Sequence, residues 1–194
     1  QEPFWTFVAA RIYLAEVYSQ QAERRGTTAD AVYTKFAENV RILSKKGIYN
    51  PSIMESYSNE ELEQLGNLLV AKRDSLFTYI ALKTLLDRYV AKDFNKDIVE
   101  LPQERWLVIA MTLMKDEKEN RLEKIKEAYW AMSNLYMTVA TPTLSNAGKP
   151  HGQLSSCFID TVDDSLQGIY DSNTDVATLS KFGGGIGVYM GKVR

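Results

Sequence analysis

Residues 140–148 read Ala140-Thr141-Pro142-Thr143-Leu144-Ser145-Asn146-Ala147-Gly148, and the character of the chain changes across them. Upstream, apolar residues recur at helical spacing; downstream, Thr, Ser, Asn, Gly and Pro separate short apolar pieces. Helical periodicity that gives way to short apolar runs bounded by turn residues predicts a helical unit followed by α/β structure. The division is placed accordingly, with residues 1–140 as a helical N-terminal domain and residues 141–194 as the start of an α/β domain.

Working back from that boundary, Leu122, Ile125, Tyr129, Met132 and Tyr136 follow i, i+3, i+7 spacing and predict a long amphipathic helix ending near Ala140. Pro102 opens another helix, with Trp106, Ile109, Ala110 and Leu113 on one face. The charged run Asp116 to Asn120 between them reads as a solvated turn. A helix is expected over Leu76 to Val90, followed by a loop or short hairpin over Ala91 to Glu100. Ser58 with Glu61 three residues later makes a capping box for a helix reaching about Lys72. Asn50-Pro51-Ser52 separates it from a helix over Thr28 to Lys46, stopped by Gly47, whose Lys45-Lys46 end complements the helix dipole. The first helix should run from about Pro3 to Arg24 and end near Gly26, with Phe4, Phe7, Val8, Leu14, Ala15 and Tyr18 on its apolar face. Arg11 falls within that face, where a buried charge requires a carboxylate partner.

Forward of the boundary, Leu154 to Ile159 is short and apolar enough for a buried strand. Ser165 to Ser180 carries Leu166, Ile169, Tyr170 and Ala177 at helical spacing, and Ile186 to Met190 reads as a second strand. Strand, helix, strand is the opening of a parallel α/β unit. No internal repeat or low-complexity linker interrupts the chain.

The 194 residues, 45% hydrophobic and 25% charged, have the composition of an ordinary folded globular chain. A net charge of −2 without a basic stripe argues against DNA or RNA as the main partner, though a small anion can still be held locally. Apolar runs such as Trp106 to Met114 are far shorter than the roughly 18 residues of a membrane helix, so no span is expected. The opening Gln1-Glu2-Pro3-Phe4-Trp5 has no basic region ahead of an apolar core, so no signal peptide is expected; lacking Met, it reads as the start of a piece of a longer chain. A single cysteine rules out an intrachain disulfide framework and suits a reducing cytoplasm.

Four groups of residues can carry chemistry, and each has a plain structural reading beside it. Ser155-Ser156-Cys157 is either a small buried cysteine with serines closing backbone hydrogen bonds, or a thiol with a redox or radical partner elsewhere. Asp163-Asp164-Ser165 precedes a helix and supplies capping groups. Lys181-Phe182-Gly183-Gly184-Gly185-Ile186-Gly187 is a helix C-cap with a tight turn, or a place where a ligand approaches the backbone closely. It is neither a Walker loop nor a GxGxxG fingerprint. Lys181 and Arg194 either stand solvated or together clamp a phosphate. His151, the one histidine, has no second ligand at metal spacing, so it is read as a loop residue and no metal site is expected.

The ordered combination is far more specific than its parts. Residues 140–148, then Gln153-Leu154-Ser155-Ser156-Cys157-Phe158, Asp163-Asp164-Ser165-Leu166-Gln167-Gly168-Ile169-Tyr170, Ser180-Lys181 and Gly184-Gly185-Ile186-Gly187 closely resemble the large, catalytic subunit of class I (aerobic) ribonucleotide reductases. Val8-Ala9-Ala10-Arg11 and Phe77-Thr78-Tyr79 ahead of Leu82-Lys83-Thr84-Leu85 carry a looser resemblance through the helical part.

The resemblance implies a mainly helical N-terminal domain followed by the first strand-helix-strand elements of a ten-stranded α/β barrel, here incomplete. It implies an enzyme that reduces ribonucleoside diphosphates to deoxyribonucleoside diphosphates for DNA synthesis by thiyl-radical chemistry. Cys157 matches the first cysteine of the family's reducing pair, and Thr141, Ser156 and Gly185 match substrate-binding positions. Asp164, Ser165, Leu166, Lys181 and Arg194 match an allosteric specificity site that binds a deoxynucleoside triphosphate or ATP at a homodimer interface. The implied partners are a small (beta) subunit that holds the radical-generating metal cofactor, a thioredoxin- or glutaredoxin-type reductant, and the remainder of the large subunit. No cofactor is expected on this segment. The radical cysteine and the partner of Cys157 are expected beyond Arg194, so the segment is expected not to turn over alone; no ATP-cone is evident ahead of the helices. An adenosylcobalamin-dependent (class II) reductase and a non-catalytic nucleotide-binding regulatory fragment are the alternatives.

Overall fold

The computed structural model describes residues 3–194 and shows a layer of helices leading into one βαβ unit. Helix α1 spans Trp5–Arg25 and stops at Gly26, whose φ of 62° lets its own N–H and that of Thr27 turn back to the carbonyls of Glu23 and Ala22. Its buried face is Ala10, Leu14, Val17, Gln21 and Ala22, so the expected face is rotated: Phe4 is 73% exposed and Arg11 lies in solvent, with no ion pair among the described residues. Apolar side chains occupy two sides of α1, and the side that packs is the one meeting the 3₁₀ turn Ala29–Lys35 and helix α5 (Tyr79–Arg88). The buried arginines are instead Arg25 and Arg105.

The expected second helix is divided into that 3₁₀ turn and α2, Phe36–Lys45, and ends near Gly47 at φ 69°. After α3 (Ser52–Ser56), the capping box at Ser58 and Glu61 starts α4, Asn59–Gly66, with both reciprocal bonds made, at 2.9 and 3.2 Å. That helix stops short of Lys72. A 3₁₀ turn over Ala71–Leu76 leads to α5, capped by Thr78, and a Lys92–Ile98 antiparallel bridge closes the loop that follows.

Helix α6, Pro102–Met114, is the axis of the layer: every residue from Pro102 to Met111 is buried, while Leu113, expected inside, is 44% exposed. Helix α7, Arg121–Ser133, packs along it. Leu135 adopts φ 62°, and the N–H groups of Leu135 and Tyr136 close onto the carbonyls of Met132 and Ala131, which ends α7 well before Ala140. Tyr136 is consequently 72% exposed and stacks on Trp130 at 5.0 Å rather than entering the core.

Helical packing also continues past the 140/141 boundary. A short helix α8, Thr141–Asn146, has Pro142 in its first turn, where no N–H is needed, and Leu144 and Ala147 join the main core. Only then does the βαβ unit begin, as β1 (Cys157–Thr161), α9 (Leu166–Lys181) and β2 (Gly185–Tyr189). The two strands pair in parallel, Cys157 opposite Gly185 through Thr161 opposite Tyr189.

The buried strand expected over Leu154 to Ile159 starts only at Cys157, and one of its faces is open among the described residues: Cys157 is exposed and Ile159 is 88% exposed, while Phe158 and Asp160 are half-buried. Side chains alternate along a strand, and α9 covers only one face, where Ser172 donates to the Asp160 carboxylate and Phe158 fills the space against Gly184. Cys157, Ile159 and Thr161 point to the other face, which no element among the described residues covers. Parallel sheets usually have both faces covered; among the described residues only the α9 side of this one is.

Candidate functional site

The strand pairing brings Ser156, Cys157 and Gly185 onto one rung. The Gly185 N–H donates to the Ser156 carbonyl at 2.9 Å, and Cys157 lies opposite Gly185 in the register. The Ser156 hydroxyl is 3.4 Å from the Cys157 sulfur, within hydrogen-bonding reach. Gly185 and Gly187 stand beside Cys157 and Ile159 on the uncovered face. Their missing side chains leave the thiol in the open; at Gly185 a Cβ would press to 3.3 Å on the Ser156 carbonyl. The arrangement presents an exposed thiol and a neighbouring hydroxyl next to a strip of backbone cleared of side chains. Thr141 is placed at the exposed start of α8, and α8 is tied to the segment before Cys157 through Thr143, which donates to the Leu154 carbonyl at 2.7 Å.

A second group forms at the start of α9. Ser165 caps the helix, its hydroxyl accepting from the Gly168 N–H at 3.0 Å, and Leu166 is 75% exposed. The Arg194 N–H donates to the Asp164 carboxylate at 3.1 Å, so Asp164, Ser165, Leu166 and Arg194 gather at one end of the helix. Lys181 sits at the other end, roughly 24 Å away along the axis at 1.5 Å per residue, over the ring of Phe182. The structure therefore groups four of the five residues and does not bring Lys181 to Arg194. Tyr170 (63% exposed) and Ala177 line a shallow groove with Lys181 along the solvent side of α9. His151 is exposed in the loop after α8, and no cluster of three metal-binding side chains occurs among the described residues. No helix among them is long and apolar enough to cross a membrane.

The helical layer holds polar clusters that sequence reading missed. Asp74 is buried and accepts from Tyr18 and Tyr33, each at 2.5 Å, and from the Gln103 amide at 2.6 Å; burial without a cation pushes its carboxyl up to about 6 despite those donors. Glu104 takes both arms of Arg25, at 2.7 and 2.9 Å. Glu100 accepts from the Tyr49 hydroxyl and the Ala91 N–H, each at 2.6 Å, and pairs with Arg105 at 3.3 Å. Lys149 donates to the Tyr89 carbonyl at 2.8 Å, and burial pushes its amine down to about 8. The one sequence signal was the polar triplet Gln103-Glu104-Arg105 at the head of an apolar helix; its partners are too distant in the chain to be paired by pattern.

Fold and site together define a helical layer feeding a parallel α/β unit, with a thiol on the open face of its first strand. Residues 75–152 match the family model "Ribonucleotide reductase, all-alpha domain" and residues 155–194 match "Ribonucleotide reductase, barrel domain". The chain is similar to the ribonucleoside-diphosphate reductase subunit alpha of Treponema pallidum, 43% identical over all of this chain and 23% of that protein. It is also similar to that of Helicobacter pylori (39%, over 99% of this chain and 23% of the other) and to the yeast Saccharomyces cerevisiae large chain 2 (32%, 99% and 21%). The chain belongs to the ribonucleotide reductase large-subunit family and contains parts of its all-helical and barrel domains. It spans under a quarter of the length of these relatives.

Proposed function

We propose that this chain is the N-terminal part of a ribonucleoside-diphosphate reductase large subunit, and that Cys157 is one of the two thiols that reduce the ribose. The observation that carries the reading is the exposed Cys157 on an uncovered strand face beside Gly185, with Ser156 adjoining. Thr141, Ser156 and Gly185 contact the nucleoside diphosphate, the hydroxyls matching its ribose and phosphate oxygens. A thiyl radical elsewhere in the subunit removes the 3′-hydrogen and, once the 2′ position is reduced, returns it to C3′, which regenerates the thiyl radical. Cys157 and a second cysteine then give up two electrons and two protons, the 2′-hydroxyl leaves as water, and the two sulfurs join as a disulfide. A thioredoxin- or glutaredoxin-type dithiol restores the pair by exchange.

The grouping at the head of α9 is read as the effector site. Asp164 accepts from a sugar hydroxyl, while the helix N-terminus and Arg194 face the phosphates of a deoxynucleoside triphosphate or ATP. Lys181 lies too far along α9 to join them within this chain; the solvent-facing Leu166, Tyr170 and Ala177 suit a homodimer contact along which it can contribute. The radical generator is a metal centre in a separate small subunit. The test is reduction of nucleoside diphosphates by the complete large subunit with a dithiol reductant. Activity that needs the small subunit is the predicted result; activity with adenosylcobalamin alone, or none, contradicts it.

A further inference from the structure

The strand that carries Cys157 is entered from a loop, and that loop is anchored in the helical layer by a buried ion pair. Glu100 and Arg105 are both fully buried. Glu100 is held by Tyr49 and the Ala91 N–H, and the guanidinium it orients donates on its other side to the carbonyl of Ala147, at the end of α8. The next residue is fixed as well. The Gly148 carbonyl accepts from the Asn50 N–H at 2.8 Å, and at φ 74° a Cβ there would run into Val108.

From α8 the linkage continues to the thiol. Asn146 donates to the Gln153 carbonyl at 2.9 Å and Thr143 to the Leu154 carbonyl at 2.7 Å. The Gln153 side chain accepts from the Ser155 N–H at 2.5 Å, and the Ser156 carbonyl accepts from Gly185. Each residue from 153 to 156 is thus held by a hydrogen bond before Cys157 is reached. A buried ion pair adds little net stability over an apolar pair of the same volume; what this one adds is a set of directed bonds to Tyr49, Ala91 and Ala147.

We infer that Arg105 and Thr143 are positioning residues for Cys157: the buried guanidinium fixes α8, and α8 fixes the entrance to the thiol strand. This rests on the redox role proposed for Cys157. Neither residue touches substrate; both act through the placement of the sulfur, where an error of about 1 Å can cost on the order of a hundredfold in rate.

The test uses the complete large subunit with its radical-generating partner and a dithiol reductant. Thr143→Val keeps the shape and deletes the bond to Leu154; Thr143→Ser restores a hydroxyl; Arg105→Lys keeps the charge beside Glu100 and loses the fork to Ala147. Tyr129→Phe is the control, since it deletes a buried bond of 2.8 Å to Gln103 on α6 that is no part of the hydrogen-bonded path from Arg105 to Cys157. Thr143→Val and Arg105→Lys are expected to lower kcat roughly tenfold with KM and effector Kd within about twofold, and Thr143→Ser to recover most of the loss. Tyr129→Phe is expected to lower the denaturant midpoint comparably and leave kcat unchanged. An unchanged kcat in Thr143→Val, or an equal fall in Tyr129→Phe, overturns the positioning role. Absence of reduction by the unsubstituted subunit is a separate result, and it overturns the redox reading together with this one.

Discussion

Asp74 is a carboxylate enclosed where α1, the 29–35 turn and α6 meet, with three donors and no cation. Its pKa is raised by burial from 3.8 to about 6. Between those values the folded chain keeps a proton that the unfolded chain has released, so stability falls as pH rises through the window. The contribution is complete below 3.8 and lost above about 6. At about 1.4 kcal/mol per pH step, the gap makes ionised Asp74 cost about 3 kcal/mol at neutral pH. Asp74→Asn removes that ionisation. One flip of the Gln103 amide lets its oxygen accept from the new NH₂, while the Asn oxygen still accepts from Tyr18 and Tyr33. Urea unfolding at pH 4 and pH 8 measures the effect. The variant should gain on the unsubstituted chain between the two pH values by up to about 3 kcal/mol. Parallel pH profiles for the two chains would refute the reasoning.

Other predictions rest on separate features. Lys149 is pushed down to about 8 by burial, so the unfolded chain keeps its proton to higher pH; stability should rise as pH climbs from about 8 towards 10.5, and Lys149→Met should flatten that rise in urea titrations. Leu107→Ala, at a fully buried position in α6, should cost about 2–5 kcal/mol in chemical denaturation. Gly184→Ala would drive a Cβ to 2.7 Å from the Phe158 ring and 3.2 Å from the Leu179 carbonyl, and should loosen the βαβ unit, seen as faster amide exchange in β1 and β2 with α6 unaffected. In the complete subunit, Asp164→Ala and Arg194→Ala should each weaken deoxynucleoside triphosphate binding by calorimetry, and unchanged affinity would count against the effector site.

Local rules located most elements. The capping box at Ser58, the stops at Gly26 and Gly47, the helix from Pro102 and the strand-helix-strand order all depend on near neighbours, and all are found. Tertiary choices were not legible. Alpha1 has apolar residues on two sides, and only the approach of the 29–35 turn and α5 decides that Leu14 and Val17 are inside while Phe4 is out. Leu135 in a left-handed conformation ends α7 without the glycine that would have announced it. The same limit applies to charge: Arg11 falls on the apolar face in the sequence and is solvated, whereas Arg105 meets the Ala147 carbonyl only once α8 has packed against α6. At the site, the resemblance grouped Thr141, Ser156, Cys157 and Gly185; strand pairing sets the last three side by side, while Thr141 lies apart in the chain at the start of α8. Which face of β1 meets α9 was not legible, because an apolar strand sequence does not say which of its sides a neighbouring helix covers.

The central claim is that Cys157 is a reducing thiol, and its most direct test is Cys157→Ser in the complete large subunit, assayed for nucleoside diphosphate reduction with its small subunit and a thioredoxin-type reductant. The account predicts loss of multiple turnover with effector binding intact, because Asp164 and Arg194 lie at the far end of β1 and at the head of α9. Undiminished multiple turnover by the serine variant would contradict it.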